Sequence, residues 1–186
     1  MVLKERGGVI IKLINFVYNH NTKWYLISAT ALMFVGVVLI FTQYFGAITL
    51  ADDKALDMLF NYDKTTFYAI LHLLDDSDRL AYKLIHISDY VFIIGVYPLI
   101  SMSLSRFIEK TKKLRVLIVL PLIAGLFDIL ENIMMDSHLY AYPNEIMFMG
   151  SLSGIFTTIK FLCLYASVVL LLFFGLFKLI RRNYGK

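Results

Sequence analysis

Apolar residues gather into four long runs along the chain. Trp24 to Ala51 carries no charge, and Leu84 to Ser105 holds only His86 and Asp89. Val116 to Met135 holds Asp128 and Glu131, and Ile146 to Phe177 holds only Lys160. Each run reaches the roughly 20 residues that a helix needs to cross about 30 Å of hydrocarbon. Barrel strands would alternate in segments of about ten residues, and these runs do not. The pattern predicts an all-α fold: an antiparallel four-helix transmembrane bundle forming a single integral membrane domain over 1–186. Its spans fall near 24–46, 84–105, 114–135 and 149–178.

The stretch 47–83 between the first two spans has its own pattern. Ala51 to Phe60 and Thr65 to Leu74 each place apolar residues at helical spacing, separated by a turn at Asn61–Tyr62–Asp63. Asp75–Asp76–Ser77–Asp78 supplies N-caps for the second span. One or two short helices lying over one membrane face follow from this. Lys4, Arg6, Lys12 and Lys23 precede the first run as they would a signal peptide. The run is much longer than a signal's roughly 7–15 apolar residues and reads as a retained anchor.

Composition agrees with the runs. Hydrophobic residues make up 59% and charged ones 17%, against roughly 45–50% and 25% in soluble domains. Mean hydropathy is +0.72. The single cysteine, Cys163, excludes a disulfide framework and a cysteine-based zinc site.

Charge then orients the spans. The cations before the first span, the group Arg106, Lys110, Lys112, Lys113 and Arg115, and the tail group Lys178, Arg181, Arg182 and Lys186 share one side of a four-span chain. Both termini are therefore expected in the cytoplasm. The opposite side carries the acidic loop with Asp52, Asp53, Asp57, Asp63, Asp75, Asp76 and Asp78. Trp24 and Tyr25, then Tyr44 and Phe45, suit the two interfaces of the first span. The net charge of +4 thus reflects topology. No basic face with interleaved aromatics points to nucleic acid. The expected partners are the bilayer and a lipid or amphiphile ligand, and nothing indicates a protein partner or a cofactor.

Ionisable groups inside a bilayer are costly, and by default they mark function. At 100° per residue, Arg79, Tyr82, His86, Asp89, Ile93 and Tyr97 share one stripe of the second span. Pro121, Gly125, Asp128, Asn132 and Met135 share a face of the third, with Glu131 about 60° from Asp128. Ser153, Thr157, Lys160, Leu164 and Ser167 form a stripe on the fourth. Counting about 1.5 Å per residue puts Asp89 and Asp128 roughly 8–10 Å below the same surface. Gln43 of the first span lies near that level. One polar cluster with contributions from all four spans is the expectation.

Asp89, Asp128, Glu131 and Lys160 are the candidate catalytic groups of this cluster, with Arg79, Tyr82, His86, Tyr97, Asn132 and Thr157 as binding residues. Three carboxylates facing one lysine leave excess negative charge. A protonated carboxyl, a contribution from Arg79 and His86, or a bound cation would each resolve it. One reading is a site that binds a small cation or amphiphile and performs acid–base chemistry on it. Another is a structural ion-pair network in an accessory or assembly protein. A metal variant would use His86-x-x-Asp89 and Asp128-x-x-Glu131, but Lys160 would repel the ion, and no metal is assigned. Ion or proton transport lacks a matching relay in the other half of the spans.

Among the remaining features, Gly150-x-x-x-Gly154 suits close helix pairing. Pro98 and Pro121 are expected to kink their helices. Cys163 reads as a small buried hydrophobe, and His20, His72 and His138 show no partner spacing.

The segments Asp78–Arg79–Leu80–Ala81–Tyr82, Asp89–Tyr90–Val91–Phe92 with Tyr97, and Asp128–Ile129–Leu130–Glu131–Asn132 resemble a group of small bacterial four-span membrane proteins. That group shows Arg-x-x-Tyr…Asp…Tyr and Asp-x-x-Glu-Asn patterns. The resemblance covers about a third of the chain, implies a bacterial cytoplasmic membrane, and brings no activity with it. In size and topology the chain is also similar to four-span sterol-isomerase-like proteins, an analogy of fold alone.

Overall fold

A computed structural model describes residues 8–47 and 59–184, without the side chains of 43–47, 147, 149 and 182–184. The described residues form six α-helices: α1 (Val9–His20), α2 (Lys23–Ala47), α3 (Lys64–Leu73), α4 (Asp76–Ser105), α5 (Leu120–Ala141) and α6 (Met147–Tyr184). A 3₁₀ segment, Lys113–Val119, leads into α5. Four stretches are long and apolar enough to cross a membrane: Lys23–Thr42, Asp76–Ser105, Lys113–Ala141 and Gly150–Arg181. Of the expected helix over 51–60, residues 51–58 lie outside the described residues and 59–60 form a bend; the side chains of Gln43, Tyr44 and Phe45 also lie outside them.

α2 packs along α4, α4 along α5, and α5 along α6, with α4 also reaching α6. α2 is apolar on every side and buries little of itself, as suits a helix bathed in lipid. It meets α4 through small residues. A Cβ on Gly36 would sit 2.6 Å from the Phe92 backbone, and one on Gly95 would strike the Met33 backbone. Without a hydrophobic force between helices in lipid, such close backbone approach supplies the attraction. Gly95→Ala is expected to lower stability by about 1–3 kcal/mol, read as thermal unfolding in detergent. Gly8→Ala, with nothing within 4 Å of the added Cβ, is expected to leave it unchanged.

α4 begins eight residues before the expected Leu84. Hydropathy registers only the hydrocarbon-buried part of a helix. Here a capping box of Asp75 and Asp78, with an Arg79–Asp76 pair at 2.8 Å, supports two further polar turns. At 30 residues, α4 extends for about 45 Å, more than the hydrocarbon thickness. It continues through Pro98. Pro121 sits in the first turn of α5, where a missing N–H costs nothing, so it starts that helix rather than kinking it.

α1, an amphipathic helix with Ile14 and Val17 buried, was not predicted, because it is too short and too charged at its flank to register as a span. It braces the far end of α4. The Tyr18 hydroxyl donates to the Ile108 carbonyl at 2.6 Å, and Asn21 donates to the Met102 carbonyl and Ser105 hydroxyl.

α3 forms as the loop pattern predicts. Asp63 caps it by accepting the Thr66 N–H at 2.8 Å, a bond that holds its carboxyl below the ordinary value. Phe67, Tyr68, Ile70 and Leu71 are buried in a cluster with Tyr62, Tyr82, Met135 and Leu139. Tyr68 locks the α5–α6 turn as well: its hydroxyl accepts the Ile146 N–H at 2.5 Å and lies 3.1 Å from Nδ1 of His138.

Gly150-x-x-x-Gly154 faces α3 and the turn before it. A Cβ on Gly154 would collide with the Tyr62 carbonyl, and one on Gly150 would meet Lys64 at 3.5 Å. The motif seats both the first turns of α3 and the segment entering it on α6.

Candidate functional site

Three helices converge on Lys160 of α6. Its Nζ lies 3.0 Å from Asp128 Oδ1 and 2.6 Å from Glu131 Oε2, both on α5. All three side chains are buried. The i, i+3 spacing of Asp128 and Glu131 places them on one helix face, and the lysine spans both. The Tyr97 hydroxyl, from α4, donates to Asp128 Oδ2 at 2.5 Å. Thr157 donates to Glu131 Oε1 at 2.5 Å.

Each carboxylate is therefore held at both oxygens, one by a hydroxyl donor and the other by the Lys160 ammonium. Charge-assisted bonds of this kind are the strong ones. In a site remote from water they fix geometry as well as charge. Gly125 lies beneath Tyr97: a Cβ there would stand 2.7 Å from its ring. The glycine thus makes room for the phenol to reach Asp128.

Asp89 stands beside this set, half-buried on α4. Its Oδ2 accepts from Asn132 at 2.7 Å. Asp89, Asp128, Lys160 and Tyr97 line one cavity of about 350 Å³. Ile40, Phe92, Phe161, Leu164 and Tyr165 complete its wall. One part of the wall is charged and the rest is aliphatic or aromatic. Glu131 is fully buried and does not line it.

The helical stripes read from the sequence are largely the buried faces. Tyr82, His86, Ile93 and Tyr97 on α4, Asp128, Asn132 and Met135 on α5, and Ser153, Thr157, Lys160 and Ser167 on α6 are all buried. Several candidates nevertheless lie away from Lys160. Arg79 turns to the Leu74 carbonyl at 2.6 Å and stacks over the Tyr142 ring. His86 pairs with Asp136, Nδ1 to Oδ1, at 2.7 Å. Tyr82 stands edge-on to His86 and packs in the α3 cluster. The four residues of the metal variant do not meet as a ligand set: His86 faces Asp136, and the ammonium of Lys160 sits against both α5 carboxylates. Among the described residues no group of three or more His, Cys, Asp or Glu is arranged to hold a metal ion. Cys163 is only partly buried.

Three polar partners, one at Glu131 and two farther along α5, were missed. Tyr62 reaches in from the loop, its hydroxyl 2.7 Å from Ser153 Oγ and 3.4 Å from Glu131 Oε1. No helical periodicity marks a turn residue. Asp136 lies just past the expected end of the third span at 135, one turn beyond Asn132 on the same stripe. His138 occupies the Glu131–Met135 stripe two turns on and is also buried. For both of these, phase carried the signal and the assumed span boundary hid it.

Four apolar helices of spanning length, packed on one another, define an integral, polytopic membrane protein. No family model matches the chain, and no curated protein or solved structure matches it either. Geometry therefore carries the functional reading.

Proposed function

We propose that the protein binds an amphiphile within the membrane, its polar head against Asp89, Asp128 and Lys160 and its apolar part along Phe92, Phe161, Leu164 and Tyr165. The observation that carries this reading is the mixed wall of the 350 Å³ cavity. Ligand sites are typically about 300–1,000 Å³, mostly apolar, with a few convergent polar groups. Two carboxylates and one ammonium on the wall, with Glu131 buried behind them, favour a head that is cationic or rich in hydrogen-bond donors. The cation distribution supports termini in the cytoplasm, with the cavity nearer the opposite face.

Asp89 and Lys160 are the groups that would meet the ligand and exchange protons with it. Asp128 belongs to the same wall but is held by Tyr97 and Lys160. Glu131 is a positioning residue for Lys160. The structural-network reading draws its support from that complete locking of Glu131 by Lys160 and Thr157.

The two readings separate in one experiment. Protein extracted in mild detergent is analysed by mass spectrometry for retained amphiphile. Wild type is expected to keep one recurring class. Asp89→Asn should cut retention on the order of tenfold, and Leu164→Trp should exclude the ligand by filling the wall. Equal retention by all three, with normal folding, contradicts binding in this cavity.

A further inference from the structure

A second cavity, of about 300 Å³, lies at the other end of the helices, where α6 passes the connection between α4 and α5. Arg106, Lys112, Lys178 and Arg181 line it, against one carboxylate, Glu109. Leu114, Phe174 and Phe177 form its apolar side. Phe177 and Leu114 remain largely exposed, so this side continues onto the lipid-facing surface of α6. We propose that this cavity is a binding site for the phosphodiester head of an anionic phospholipid, with the acyl chains lying along Phe174 and Phe177. The proposal is independent of the Asp89–Lys160 cavity.

The site is built before any lipid arrives. The connection is folded by its own backbone bonds: Phe107 and Ile108 N–H groups donate to the Leu104 carbonyl, and Lys112 and Arg115 close two further turns. α1 pins it through Tyr18 on the Ile108 carbonyl. Glu109 pairs with Lys112 at 3.0 Å, and Arg106 Nε donates to Asn21 at 3.1 Å. The Lys178 ammonium lies over the Phe107 ring at 5.3 Å from its centroid. A lipid phosphate thus meets three cations that already have partners, Arg106, Lys112 and Lys178, with less ordering still to be done on binding.

Charge and place select the ligand. Four cations around one carboxylate attract a net-anionic head more strongly than a zwitterionic one, whose own ammonium offsets its phosphate. Basic recesses between spans at the cation-rich face are where anionic head groups bind. A soluble phosphate could satisfy the cations, but it would leave the exposed aromatic side unused. That apolar side is the reason for choosing a lipid.

The test compares native mass spectra of the detergent-solubilised full chain mixed with dioleoyl phosphatidylglycerol or dioleoyl phosphatidylcholine. Wild type should retain the anionic lipid on the order of tenfold better. Lys178→Gln with Arg181→Gln should lower that retention to the phosphatidylcholine level. Lys12→Gln with Lys23→Gln, which removes two cations outside the cavity, should leave it unchanged. Melting temperatures of both double variants should match wild type, since the substituted side chains lie outside the buried clusters. Excess inorganic phosphate should fail to displace the lipid. Equal retention of the two lipids by wild type, equal loss in both double variants, or displacement by phosphate at the lipid's own concentration each overturns the proposal.

Discussion

Lys160→Met is expected to lower the stability of the protein by about 3–5 kcal/mol. The substitution removes the ammonium that lies within 3.0 Å of both Asp128 and Glu131, leaving two carboxylates buried with no countercharge. Adding Asp128→Asn relieves only one of them. Glu131 is fully buried, so the double variant should stay destabilised. The triple variant, with Glu131→Gln as well, should recover most of the loss, because neutral groups of the same shape carry no such desolvation cost. It should nevertheless retain no amphiphile. Thermal unfolding in detergent and lipid mass spectrometry read the two outcomes separately. A Lys160→Met protein as stable as wild type would show that the carboxylates do not depend on the lysine. A triple variant that still holds ligand would show that the charged wall is not what binds.

Gly154→Ala should be the second large effect. The added Cβ would occupy the position of the Tyr62 carbonyl, so the segment entering α3 must lift off α6. That movement withdraws the Tyr62 hydroxyl from Ser153 and Glu131. A cost of about 1–3 kcal/mol is expected, together with faster proteolysis around 59–63. Gly150→Ala provides the contrast, since its added Cβ makes only ordinary contact with Lys64 at 3.5 Å. Equal behaviour of the two variants would mean that the cap does not rest on Gly154.

These expectations show where sequence and structure part company. Span number follows from hydropathy because lipid permits few other arrangements of an apolar chain. Burial of the stripes on α4, α5 and α6 follows from helical phase, and so does the meeting of Asp128 with Lys160. Tyr97 could be placed on the right face, but its bond to Asp128 depends on the space above Gly125. Phase says nothing of such depth contacts. Arg79 and His86 were on the correct stripe too, yet Asp76 and Asp136 lie closer to them than Lys160's partners do. A shared helix face is necessary for contact, and the nearest partner decides it. Tyr62 was the least legible, because its position depends on how a loop folds back over two helices.

The central claim is that the cavity lined by Asp89, Tyr97, Asp128 and Lys160 holds an amphiphile. Its most direct test is an experimental density map of the protein purified with its native lipids. The account predicts elongated non-protein density along Phe92, Phe161 and Leu164, ending within hydrogen-bond distance of Asp89 or Lys160. Water alone in that space, or a cavity closed by Phe161 and Tyr165 in the lipid-loaded protein, would contradict it.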